Sequence, residues 1–356
     1  MFDPIGAFEK ICKKFILYVQ TAFGTRFPSF EAERESLLNQ PGVLTQDPWI
    51  EPLPRYESSG KKIDNLNTED LAGYNEDQPG LFKGLVNCGL FGASELYSHQ
   101  YKMLSKSLRG HHCVVTAGTG SGKTEAFLFP LFAQIVKELH SWEAPGEPDP
   151  RVDDWWKNET WQSNCGSSGE IPWIAQRGHE NRPSAVRGLI IYPMNALVED
   201  QLTRLRKALD SESAREWLTR NANGNRIYLG RYNSKTPVPG DKYLAPNRNG
   251  IRRINRKKVS DLIAALKDAD DASKAAQYYA NNPLNEDPDK EDCLYFFPRL
   301  DGSEMRSRWD MQEDPPDILI TNFSMLSIML MREYDEPIFE NGIQLKDMLR
   351  LVLNLK

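Results

Sequence analysis

Residues 113–124 read Cys-Val-Val-Thr-Ala-Gly-Thr-Gly-Ser-Gly-Lys-Thr, and this run decides the fold. The apolar, β-branched stretch Cys113–Thr116 predicts a strand, and the apolar pattern from 123 to 140 predicts a helix. Their joint is glycine-rich and ends in Gly-Lys-Thr. A phosphate chain needs backbone N–H groups close by, and glycine permits both the tight turn and the approach. Gly118, Thr119, Gly120, Ser121 and Gly122 therefore read as a cradle for the phosphates of ATP. Lys123 would reach the β- and γ-phosphates, and the Thr124 hydroxyl would hold Mg²⁺. The helix that follows points its positive N-terminal end at the same place. A purely structural turn would leave Gly-Lys-Thr at the helix start unexplained.

Outward from this loop the same order recurs. Gly188–Tyr192 is followed by a helical stretch at 195–209, and Ile318–Thr321 by another at 324–333. Repeated strand-then-helix order predicts an α/β fold, a parallel sheet covered by helices. Two stretches interrupt it and read as insertions. Residues 141–184 carry five of the eight tryptophans (Trp142, Trp155, Trp156, Trp161, Trp173). Residues 235–315 carry the basic run Arg248, Arg252, Arg253, Arg256, Lys257 and Lys258, then a helix near 259–280. The tryptophans are expected to pack their insertion down, and the basic run to be a solvated approach to the helix. Stacked bases and a phosphate-backbone patch are the alternatives. Residues 1–90 form an extension. Asp3-Pro4 is a helix start, and Ile5, Phe8, Ile11, Phe15, Val19 and Phe23 make a stripe on a helix over 4–23. That stripe is expected to be covered by the body of the protein, with partner docking as the other use. Pro28, Pro41, Pro48, Pro52, Pro54 and Pro79 make 26–80 read as irregular connecting structure.

Composition sets the outer limits. The 356 residues are 40% apolar and 26% charged, which allows a core and excludes wholesale disorder. No apolar run is long enough to span a membrane, and lysines interrupt the N-terminal stretch, so no secretory signal is read. Five scattered cysteines without a paired spacing argue for reduced thiols in the cytoplasm, against disulfides and zinc. The net charge of −6 leaves nucleic-acid contact to local basic patches.

The Ala-x-x-Gly-x-Gly-Lys-Thr form, beginning at Ala117, resembles superfamily 2 helicases of the DExH/DEAD-box kind. Three further stretches carry the resemblance. Gln100, in Leu96-Tyr97-Ser98-His99-Gln100, stands where such helicases keep an adenine-reading glutamine. Pro193–Gln201, after Gly188–Tyr192, is similar to motif Ia, and Pro316–Leu326 to motif Ib. Ile227–Tyr232 resembles the strand before another backbone-contact loop. The resemblance implies a RecA-like domain that binds ATP with Mg²⁺. It also implies that single-stranded DNA or RNA is held by Pro193, Asn195, Arg231, Thr321 and Asn322. The opening Met1–Phe30, the stretch Arg182–Asp210 and motif Ib look like the large bacterial helicases of phage-defence islands, Druantia- or DISARM-like, whose partners include other defence subunits.

Such a helicase also needs motif II, a strand ending in Asp-Glu, to organise Mg²⁺ and activate water. No apolar run here ends that way, and Asp335-Glu336 precedes Pro337 without a strand before it. Residues 91–356 are therefore expected to be an incomplete first RecA-like domain. ATP and nucleic-acid binding are expected without hydrolysis by this chain alone, and no catalytic residue is identified. Three alternatives stand beside that reading: a non-catalytic phosphate-loop binding or decoy module, one half of a split helicase, and an unrelated kinase. Motifs Ia and Ib disfavour the kinase.

Overall fold

The computed structural model describes residues 3–40, 42–46, 55–92, 94–118, 120–158, 172–193, 195–340 and 350–352; for 4, 195–197, 340 and 350–352 it gives the main chain only. It divides into two compact units, Met1–Arg55 and Tyr56–Lys356.

In the first unit, α1 (Pro4–Ala22) starts as expected: Asp3 caps it by accepting from the Gly6 N–H at 3.0 Å. Within this unit Ile5, Ile11, Phe15 and Phe23 of the expected stripe are exposed. A second helix, α2 (Pro28–Leu38), lies within the region read as irregular. Residues 56–90 correct that reading further. They form strand β1 (Ser58–Lys62) and helix α3 (Gln78–Asn87), and they place Ile63, Leu66, Leu71, Phe82 and Leu85 in the main core. The prolines misled because Pro28 and Pro79 occupy first-turn helix positions, where the missing N–H costs nothing.

Strand β2 (Glu95–Tyr97) pairs antiparallel with β1 and leads directly into α4 (Ser98–Leu108). Helix α5 (Lys123–Glu138) follows the glycine loop. The strand expected at Cys113–Thr116 is not assigned. Cys113 and Val115 pack against the core while Val114 is 92% exposed, so only alternate side chains are held, and among the described residues no neighbouring strand pairs with them.

The main sheet comprises β3 (Gly188–Tyr192), β4 (Leu229–Tyr232), β5 (Ile318–Asn322) and β6 (Arg350–Val352). Their order is β4-β5-β3-β6, and every pairing is parallel. This is the expected α/β, RecA-like arrangement. Helices α6 (Asn195–Asp210) and α7 (Glu212–Asn221) connect β3 to β4. Both faces of the sheet are covered. Ile190, Ile318 and Ile320 meet α5 and α6 through Leu128, Phe132 and Leu202, while Leu319, Tyr228 and Tyr232 meet Met305 and Met311. Contact with α5 is so close that a Cβ on Gly188 would stand 2.4 Å from Leu131.

The insertions are not independent. Trp155 and Trp156 of the first share a core with Val259, Leu262, Leu266 and Trp309 of the second, which contains α8 (Arg256–Asn281) and α9 (Arg308–Glu313). Gln176 stitches them, donating to the Gly302 and Glu304 carbonyls at 3.1 and 3.0 Å. The packing role expected of the tryptophans therefore describes Trp155 and Trp156, while Trp161 lies outside the described residues. Helices α10 (Phe323–Met329) and α11 (Glu336–Glu340) follow β5. No helix among the described residues is long and apolar enough to cross a membrane.

Candidate nucleotide and nucleic-acid site

The glycine loop is bent by left-handed residues at Gly120 (φ +72°) and Gly122 (φ +69°), conformations that side chains resist. A Cβ on Gly120 would meet nothing within 4 Å, so the loop opens onto free space there. Lys123 folds back over it, its Nζ donating to the carbonyls of Ala117 at 2.7 Å and Gly118 at 3.1 Å. Ser121 is buried and donates to Gly118 at 2.8 Å, closing the turn. Thr119 lies outside the described residues. A loop open at Gly120, with one ammonium and one hydroxyl at the helix start, fits a magnesium nucleotide phosphate chain.

Two helices hold this loop. From α4, Gln100 donates to the Gly122 carbonyl at 3.0 Å and accepts from the Tyr97 N–H at 2.9 Å, while the His99 ring meets the Ser121 carbonyl at 2.8 Å. Gln100 is thus buried and half committed: its amide keeps one N–H and one lone pair for another partner. Beside it, Tyr97 stacks on His99 with ring centres 5.6 Å apart, and Tyr56 meets both edge-on. The Tyr56 hydroxyl is buried without a partner, next to Gly118. From α6, Gln201 donates to the Thr124 hydroxyl at 3.3 Å, and its own amide oxygen is buried without a partner. Arg204, one turn on, pairs with Glu125 at 2.6 Å and with Asp200 at 3.5 Å.

Residues 97–227 match the family model for the DEAD/DEAH box helicase. Over that stretch the chain is similar to the DEAD/DEAH box helicases. The stretch contains Gln100, the glycine loop and all of α6. Druantia protein DruE of Escherichia coli (strain UMEA 4076-1) is 29% identical over 352 residues, which is 91% of this chain and 16% of that protein. The chain thus spans a small part of the length of this curated relative. No solved structure matches.

The residues expected to hold nucleic acid fare unequally. Pro193 is exposed at the end of β3; the side chain of Asn195 lies outside the described residues. Arg231, at the end of β4, pairs with Glu199 of α6 at 2.5 Å, and Lys235 reaches the same carboxylate at 3.5 Å. Thr321 requires a correction. It is 0% exposed, and its hydroxyl donates to the Tyr232 carbonyl at 2.7 Å, so it ties β5 to β4 and faces no ligand. Asn322 caps α10, accepting from the Met325 N–H at 2.8 Å, and the exposed positions at this turn are Phe323 and Ser324. Asp335 is likewise structural: it is fully buried and accepts from Tyr232 and, at 2.8 Å, from Gln312.

Sequence reading missed His99, Tyr56, Gln201 and Glu199. His99 adjoins Gln100 and Gln201 closes the motif Ia run, but a polar residue on a helix is ordinarily solvated. Only the fold shows that these face the loop or the cations beside it.

Proposed function

We propose that this chain is the ATP- and nucleic-acid-binding first part of a superfamily 2 helicase or translocase, acting in the cytoplasm within an antiviral defence system. Residues 118–124 bind the phosphates, Lys123 unfolds from its carbonyls onto the β- and γ-oxygens, and Thr124 supplies a hydroxyl to Mg²⁺. Gln100, with the Tyr97 and His99 rings beside it, addresses the base. A single strand of DNA or RNA crosses the carboxyl ends of the parallel strands, meeting the helix start after Pro193, the Arg231 side chain and the turn at Asn322. The observation that carries the reading is the glycine loop clamped by Gln100 on one side and by Gln201, through Thr124, on the other. The helicase match over 97–227 and the likeness to a Druantia protein support it.

Calorimetric titration of ATP with Mg²⁺ into wild type and Lys123→Ala tests it. A charge-assisted contact to phosphate contributes about 1.5–3 kcal/mol, so affinity should fall by roughly tenfold or more in the variant. Equal affinities would end the reading.

A further inference from the structure

Beside the Arg231–Glu199 pair lies a cleft of about 320 Å³ assembled from residues far apart in the chain. Leu266 and Ala269 of α8 form one wall, and Phe297 and Pro298 form another. Arg231 and Lys235 stand at its lip. We propose that this cleft takes one unstacked base of a bound single strand while Arg231 and Lys235 take the adjoining phosphate from Glu199. The inference rests on the nucleic-acid reading above and adds a base-holding site to it.

Four features lead here. The volume sits at the small end of ligand cavities, roughly 300–1,000 Å³, which suits a planar base better than a larger ligand. The Phe297 ring is 42% exposed, so it offers a face for stacking. The wall is rigid, because Leu266 and Leu300 also belong to the core around Trp155, Trp156 and Trp309. Finally, Arg231 and Lys235 share the carboxylate of Glu199 at the lip; Asp268 lines the cleft as well, and Glu304 and Arg306 in its wall are paired with Arg206 and Asp153. A phosphate is the matching charge for the two lip cations at the edge where the strand passes. An unstacked base next to its own phosphate satisfies the apolar wall and the cationic lip together.

The test is fluorescence anisotropy on the full chain. Its probes are a labelled single-stranded oligodeoxynucleotide and an abasic counterpart with the same phosphates. The abasic strand should bind roughly tenfold more weakly, since stacking on an aromatic contributes on that order per base. Phe297→Ala should lower the affinity of the normal strand toward the abasic level and leave the abasic strand unmoved, whereas Lys235→Glu should weaken both. As a readout that needs no variant, 2-aminopurine in the strand should lose fluorescence on binding wild type. Equal binding of the two strands, or a Phe297→Ala effect that is absent or common to both, overturns the base site while leaving strand binding intact. Failure of both strands to bind at all removes the nucleic-acid reading itself, and the base site with it.

Discussion

Gln201 shows how much one hydrogen bond can say. A glutamine near the start of a helix looks solvated in a sequence, yet here it is buried and its N–H reaches Thr124 across the gap between α6 and α5. The donated bond occupies one lone pair of the hydroxyl and orients the other, which is what a metal ligand requires. Gln201→Ala should therefore weaken ATP binding with Mg²⁺ by about two- to tenfold, the value of one neutral hydrogen bond. Binding of ATP in the presence of EDTA should be unchanged. Titrations under the two conditions decide it, and an equal loss in both would make Gln201 a packing residue only. Lys123 and Thr124 stand out in the sequence because the chemistry proposed for them is tied to spacing. Thr321 does not, because the same strand-end threonine serves a ligand or a neighbouring carbonyl depending on which way the strand faces.

At the scale of elements, the sheet is held at its amino end by one buried carboxylate. Asp317 precedes β5 and accepts from Arg182 at 2.7 and 2.8 Å, from Arg187 before β3 at 2.7 Å, and from the Tyr228 N–H before β4 at 2.7 Å. Burial alone would raise its pKa, but Arg182, then Arg177 and Arg187, together with the hydrogen bonds, hold it well below the usual carboxylate range. A depressed carboxylate adds stability that is present above its unfolded pKa and lost as pH falls through the range below about 4. Wild type should lose stability over that acid interval. Asp317→Asn should already be less stable at neutral pH by about 3–5 kcal/mol, since it strands buried guanidinium groups, and should change less on acidification. Chemical denaturation at neutral and acid pH measures both, and parallel pH profiles would show that Asp317 is not the titrating group. The strands themselves could be read from their apolar runs. This latch could not, because the partners of Asp317 lie 89 to 135 residues before it and carry no periodic signature.

At the scale of the whole molecule, the sequence separates two polar insertions that the fold joins into one body around Trp155, Trp156 and Trp309. It likewise files residues 56–90 as an extension, although they pack into the main core. Long-range packing of this kind has no local pattern to betray it, whereas the α/β class follows from strand and helix periods alone. The same view bears on catalysis. ATP hydrolysis needs an acidic pair organising Mg²⁺ and water, and an arginine on the transition state typically adds ~10³–10⁵ in rate. The carboxylates near Thr124 are Glu125 and Asp200, and Arg204 pairs with both. Glu199 is engaged by Arg231, and Asp335 is sealed against Tyr232. No described carboxylate therefore stands poised over the loop to activate water. A phosphate-release assay on this 356-residue chain should accordingly show no sustained turnover, with or without an oligonucleotide, even under conditions where ATP is bound. Several turnovers per second, abolished by Lys123→Ala, would prove this wrong. Glu125 and Asp200 would then be the groups to replace first, because Arg204 holds them at the protein surface beside Thr124, where a shift of one side chain frees them.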